Sequence, residues 1–476
     1  MPTLQRQSLL VLFPMLSISV LGLVACSPSS SDGPSGTGGT QSISTSSGGS
    51  TIPVTSSSSG GSTQPTSSSG GAPVESSSGG STTPPETPSG GSGAVVPPSG
   101  GGSGVPSGGA GAGGPVVVGP PPATKGIPDG YPMPTADNVA KCTKVGLTAG
   151  LCPGGGPGPV CMQCLFGGST YETTESPPPS ALATMEAGNY LVTVRIGGPM
   201  AGDTYIGTES SRGLLQTVTT TAGQTIDYAF VVNVRDMEGQ PNHRGGPAGY
   251  PGLDIFFSGT NPQVTGIGYA LATATTKPVM VYMASDSTGC DQTGNIFGGW
   301  GQMLPEFFAP PVGIANYANS GASSNFGYWN NIKAKWSPGD WVIIQFGHND
   351  KGTPDATVQA NLEKMVADAQ AAQVKALLVS PPARVQFQGN MDGSQASLHA
   401  VSAQGAAKAK GVDYIDLTSL STAWYNMLGS QAAALKFHAN GSDATHTNLA
   451  GAEKLASLVA QAIKDQNVAL APYLRQ

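Results

Sequence analysis

"PVMVYMASDSTGCDQTGN", residues 278–295, decides how the second half of the chain is read. Its first seven residues are apolar throughout, which suits a strand covered on both faces, as in a parallel sheet flanked by helices. The run then breaks into small polar residues. Asp286, Ser287 and Cys290 therefore fall where the chain leaves the sheet. In open α/β sheets reactive groups gather beyond the carboxyl ends of the strands, so a hydroxyl delivered there is a candidate for chemistry.

Working outward, the same pattern repeats. "DWVIIQFG" (340–347), "KALLVSPP" (375–382) and "VDYIDL" (412–417) read as further strands. Between and after them lie helical patterns at 356–373, 397–411 and 447–466. Strands alternating with helices predict an α/β layer fold with a mostly parallel sheet over residues 277–476. Upstream, residues 181–276 change to short β-branched runs such as "NYLVTVRIGG" and "QTIDYAFVVNVR", separated by Gly, Asn and Asp turns. That spacing predicts a small β-sandwich accessory domain.

The N-terminal part has another character. The chain holds 69 Gly and 40 Pro in 476 residues. The excess is concentrated in residues 27–125, in loose repeats such as "SSSSGGSTQP". With almost no apolar side chains to bury, nothing there offsets the entropy of ordering, so a disordered linker is expected. Treated as a flexible coil of about 100 residues, it would span roughly 50–60 Å. Residues 1–26 read as an export signal: Arg6, an apolar stretch and "LVAC" ending at Cys26. "LVAC" resembles a bacterial lipobox, which implies lipidation of Cys26, a membrane anchor, and an outer-membrane or cell-surface location. In residues 126–180 Cys142, Cys152, Cys161 and Cys164 cluster in a Gly/Pro-rich stretch. For an exported chain they read as two disulfides with three possible pairings, zinc being the rival reading. Cys290 is left as a buried thiol or a disulfide partner.

A net charge of −7 without a basic block argues against nucleic acid as a partner. No phosphate loop, zinc motif or dinucleotide fingerprint is present, so no cofactor or metal is expected. The chain is expected to act as a monomer.

Three further polar clusters accompany Ser287: "NSGASS" (319–324), "GHND" (347–350) and "DATHTN" (443–448). Ser287 in "SDST", Gly321 in "SGASS", Asn349 in "GHND", and Asp443 with His446 in "DATH" together resemble the ordered blocks of the SGNH (GDSL-type) hydrolases. "QFGHND" and "DATHTNLAGAEKLA" are similar to the rhamnogalacturonan acetylesterase-like branch, here as a bacterial lipoprotein.

The resemblance implies a three-layer, flavodoxin-like parallel sheet and a serine esterase acting on an acetylated polysaccharide such as pectin, rhamnogalacturonan or xylan. It makes Ser287, Asp443 and His446 the catalytic residues, with Ser287, Gly321 and Asn349 as the oxyanion hole. The chain departs from the family at Ser285, where the block carries glycine, and at Ala322, where the branch often carries arginine.

The chemistry fits the residue types on its own. A serine hydroxyl needs an adjacent base, which His446 can be, and Asp443 three residues earlier can hold the other ring nitrogen. Two other readings stay open: a lipase or arylesterase of the same fold, and a non-catalytic glycan-binding surface lipoprotein. Asp443 could alternatively cap the last helix. His348 is expected to shape its turn, and His243, His399 and His438 to be structural or exposed. Trp300 and Trp329 are expected either to line a sugar site or to pack in the core.

Overall fold

The computed structural model describes residues 127–145, 152, 156–166, 187–209, 211–234, 252–292, 296–388, 390–391 and 398–475. Cys26, the stretches expected to be an export signal and a linker, and His243 lie outside them.

The central sheet has eight strands. Five parallel strands follow one another in sequence: β9 (Val279–Ser285), β10 (Val312–Asn316), β11 (Trp341–Gln345), β12 (Lys375–Val379) and β13 (Asp413–Ile415). Their spatial order is β13-β12-β11-β9-β10, so the chain reverses direction across the sheet between β9 and β11. This is the flavodoxin-like order, whose switch point forms a crevice beyond the strand ends. "SDST" leaves β9 and "GHND" leaves β11, on the two sides of that crevice.

Alternate residues of each strand point to opposite faces. Val281 and Met283 face one core with Ile343 and Val379, under Trp424, Tyr425, Leu455, Val459 and Ile463. Those last five belong to α3 (Leu417–Leu428) and α4 (Leu449–Asp465). Met280, Tyr282 and Ala284 face the other core, under Leu362, Met365 and Val366 of α1 (Asp355–Ala371) and Ala403, Ala406 and Ala407 of α2 (Ala400–Lys410). The strands look uniformly apolar because both faces are covered.

Upstream, the strands expected to form a small β-sandwich accessory domain divide between the central sheet and a second sheet. Strands β3 (Gly188–Gly197), β6 (Thr225–Val234) and β8 (Val264–Leu271) extend the central sheet beyond β10, in the order β10-β6-β3-β8. The join is parallel and short, with Ile314 opposite Val232. The remaining strands, β4 (Gly202–Thr208), β5 (Arg212–Thr220) and β7 (Leu253–Gly259), form a second sheet with β1 (Cys142–Lys144) and β2 (Val160–Phe166), in the order β1-β2-β7-β4-β5. The two sheets share a core that includes Val192, Ile196, Leu215, Phe230, Ile255 and Phe257. Period-two alternation is the same whether a sheet closes on itself or adds to a neighbour, and β10 offers an edge to be covered. The sequence pattern therefore does not separate the two outcomes.

The cysteine-rich segment belongs to this second sheet. Cys142 faces Cys164 across β1 and β2 and is bonded to it, and Cys152 is bonded to Cys161. Cys290 is buried and in neither bridge, its Sγ 3.4 Å from the Asp291 carbonyl oxygen.

Candidate active site

The turn after β9 is held from beneath by one side chain that the sequence reading passes over, Gln345 at the end of β11. Its Oε1 accepts from Ser285 Oγ at 2.7 Å and Trp300 Nε1 at 3.0 Å, and its Nε2 donates to Asp286 Oδ2 at 3.1 Å. Asp286 Oδ1 accepts from Thr288 N at 2.9 Å and Thr288 Oγ1 at 2.7 Å. Asp286 is fully buried, which raises its pKa, and these hydrogen bonds offset that only in part. It fixes the turn and does not face solvent. A wholly buried glutamine ending an apolar strand is the signal that could have flagged Gln345.

Ser285 does not crowd the turn. Its side chain points to Gln345, and the space beside it is kept open by Gly289, where a Cβ would come within 2.5 Å of Ser285 Oγ. Serine at the family's glycine position is thus matched by a glycine four residues on.

Ser287 is 7% exposed and its Oγ lies 2.9 Å from His446 Nε2. His446 Nδ1 lies 2.9 Å from Asp443 Oδ2. A ring nitrogen facing a carboxylate carries the proton, which leaves Nε2 to accept from the serine. Asp443 Oδ1 also accepts from the backbone N–H groups of Thr445 and His446, at 2.7 and 2.9 Å. Partial burial works against the Asp443 charge, but the bonds from His446 and the two backbone N–H groups outweigh it and hold the carboxyl well below the usual range. The helix-cap reading of Asp443 fails, because Asn448 caps α4 by accepting from Gly451 N at 3.0 Å. The Phe297 and His446 rings meet edge to face, with ring centroids 5.8 Å apart. Thr447 ties this loop to the 298 segment through Gly298, with Thr447 Oγ1 donating to its carbonyl at 2.8 Å.

Gly321 and Asn349 sit on loops at the same sheet end. The Gly321 loop is pinned to the serine strand by Asn319 N donating to Ser285 O at 2.9 Å. Gly321 has φ +77°, a left-handed conformation that favours glycine. Asn349 is exposed and its Nδ2 donates to Ala322 O at 2.9 Å, joining the two loops. Asp350 reinforces the join by accepting from Ser324 N at 3.0 Å and Ser324 Oγ at 2.7 Å. His348 is buried; burial, and then the nearby Arg384 charge, push its pKa down to about 3, so it is neutral at ordinary pH.

The remaining candidates are structural. Trp300 is fully buried, and Trp329 is buried with Nε1 donating to Asp368 Oδ2 at 2.9 Å. His399 Nδ1 pairs with Asp355 Oδ1 at 2.6 Å, and His438 Nε2 with Tyr425 Oη at 2.8 Å. Among the described residues no group of three or more His, Cys, Asp or Glu could hold a metal ion.

The geometry can therefore support attack by a serine oxygen, with one histidine moving the proton and a carboxylate steadying the charge that forms on the ring.

Residues 284–454 match the GDSL-like Lipase/Acylhydrolase family. The chain is 30% identical over 220 residues to rhamnogalacturonan acetylesterase RhgT of Bacillus subtilis, covering 42% of this chain and 95% of that protein. It is 29% identical over 207 residues to YesY of the same organism, described as a probable rhamnogalacturonan acetylesterase, covering 40% of this chain and 94% of YesY. Among solved structures, B. subtilis YxiM aligns over 73% of this chain and 98% of its own, with a TM-score of 0.40 and 20% identity.

Proposed function

The chain belongs to the GDSL-like lipase/acylhydrolase family and is a serine esterase, and from that premise we propose that it removes O-acetyl groups from a polysaccharide of the rhamnogalacturonan or xylan kind. The observation that carries this reading is the relay Ser287–His446–Asp443, two contacts of 2.9 Å in line.

In this reading Ser287 Oγ attacks the acetyl carbonyl while His446 Nε2 takes its proton. The ring charge is balanced by Asp443. The oxyanion is held by the backbone N–H groups of Ser287 and Gly321 and by the Asn349 amide. Collapse expels the sugar oxygen, which takes the proton from His446 and leaves an acetyl-serine. A water molecule then attacks that ester, again giving its proton to His446, and acetate and free serine result. The acetylated sugar as substrate is supported by the relatives described as rhamnogalacturonan acetylesterases.

The test is acetate release from acetylated pectin, xylan and mannan beside a panel of aryl and long-chain esters. Activity confined to the aryl or long-chain esters would make the protein an arylesterase or lipase, and no activity on any of them would favour a glycan-binding role. We propose further that the protein is exported and lipid-anchored through Cys26, which "LVAC" supports. Cys26→Ala should release it from membranes with its turnover intact. Persistent membrane partitioning would overturn the anchor.

A further inference from the structure

The mechanism leaves unexplained a buried charge pair beside the serine turn. Asp291 is fully buried and Arg212 is 3% exposed, and Arg212 Nε lies 3.0 Å from Asp291 Oδ2. Arg212 belongs to β5, in the second sheet, and Asp291 lies four residues beyond Ser287. The contact is an ion pair by distance, its N–H not aligned on the oxygen. Arg212 Nη1 in turn donates to Asn233 O at 3.0 Å, at the end of β6.

The other Asp291 oxygen leads back to the site. Oδ1 accepts from Asn316 Nδ2 at 2.7 Å, and the same amide donates to Gly289 O at 2.8 Å. Asn316 Oδ1 accepts from Ala318 N at 3.1 Å, on the way to Gly321. Beside Asp291, Gln292 Nε2 donates to Ser287 O at 3.0 Å. Four side-chain contacts thus run from β5 through Asp291 and Asn316 to both the serine turn and the loop that carries Gly321, and Gln292 adds a fifth to Ser287.

We propose that Arg212 is a positioning residue for the esterase, fixing the Ser287 turn and the Gly321 loop in register through Asp291 and Asn316, so that the accessory sheet is part of the catalytic apparatus. A buried ion pair is weak evidence for stability, since well-packed apolar residues often replace one at little cost. A charge pair linked on one side to the serine turn and on the other to the oxyanion loop has a use that packing alone does not supply. Displacement of a reacting group by about 1 Å can lower turnover about 100-fold.

This inference rests on Ser287 being the nucleophile, and the experiment separates the two. Full-length wild type, Ser287→Ala, the double variant Arg212→Met with Asp291→Asn, and Arg212→Lys are compared. The readouts are kcat and KM on a soluble aryl acetate and thermal melting. The double variant removes both charges of the pair together and so should fold. Its kcat should fall about 100-fold with KM changed less than about threefold. Arg212→Lys keeps the charge but lacks the planar fork that also reaches Asn233. It should lose about three- to tenfold in kcat at unchanged KM, and it decides the matter should the double variant not fold.

A contribution to stability alone would lower the melting temperature and leave kcat of the folded protein unchanged, which would overturn the proposal. Wild-type turnover in Ser287→Ala would instead overturn the proposed function. An inactive Ser287→Ala beside a normally active, folded double variant would remove only the positioning role.

Discussion

Replacing Gln345 with Leu tests whether the floor of the serine turn is one unit. The change strands three polar groups at once: Ser285 Oγ, Trp300 Nε1 and Asp286 Oδ2, all on fully buried residues. Thr288 Oγ1, which reaches both Asp286 and Gln345, has one proton to give and keeps the shorter bond to Asp286. At about 1–3 kcal/mol for each unsatisfied buried group the loss is about 3–9 kcal/mol. A buried Leu returns about 1.5–3 kcal/mol, leaving a net loss of about 4 kcal/mol at mid-range. Ser285→Ala alone removes one hydrogen bond and should cost about 1 kcal/mol. In the double variant the stranded hydroxyl is absent and its bond is already lost, so the two losses should fall short of additivity by about 2–4 kcal/mol. Denaturant midpoints of the four proteins, taken at a common slope, measure this. Additivity within about 0.5 kcal/mol, or a Gln345→Leu loss below about 1 kcal/mol, would refute the shared network.

Ser287→Ala and His446→Ala should each abolish nearly all acetate release, with the pair little worse than either, whereas Asn349→Ala should cost about 10²–10³ in turnover; near-normal turnover in folded Ser287→Ala protein would end the mechanism. A truncation beginning at Ala181 lacks β2, which pairs with β7 from Val160 opposite Gly259 to Phe166 opposite Leu253, and should be insoluble or melt far lower than one beginning at Gly126. Equal melting of the two would show the cysteine-rich segment to be dispensable. Burial holds His438 down at about 4, so below its ordinary value near 6.5 the unfolded chain takes up a proton that the folded chain refuses. The stability that neutral His438 supports is complete above about pH 6.5 and declines down to about pH 4. The advantage of wild type over His438→Gln should therefore shrink by about 2 kcal/mol between pH 7 and pH 5 in denaturant titrations, and parallel curves would refute this.

The catalytic half was legible because its signals are local. An uninterrupted apolar run marks a strand covered on both faces, and each polar cluster sits where such a run ends or where the last helix begins. What escaped the sequence reading is made by partners distant in the chain. Gln345 meets Ser285 across 60 residues and Asp286 across 59, and nothing around Arg212 announces Asp291. The strand β2 lies in "GPVCMQC", whose glycine and proline neighbours read as loop. It is extended because β7 pairs along its whole length and Cys142 and Cys152 are bonded to it. Cysteine spacing left three pairings equal, and only the facing of β1 on β2 selects one. The β-branched runs at 188–271 were read correctly as strands, but a strand pattern does not say which sheet each will join.

The distance along the chain between Ser287 and His446, 159 residues, has a consequence for when the enzyme can first act. During synthesis the serine turn emerges long before its base does. Until the segment holding Asp443 and His446 has been made and has docked against Gly298, the hydroxyl has nothing to take its proton. A nascent chain is for that reason chemically inert toward esters in its surroundings. The base and the carboxylate that steadies it come from a single stretch, 443–446, so they arrive together or not at all. Hydrolysis by this protein is in itself a sign that its final helix is in place.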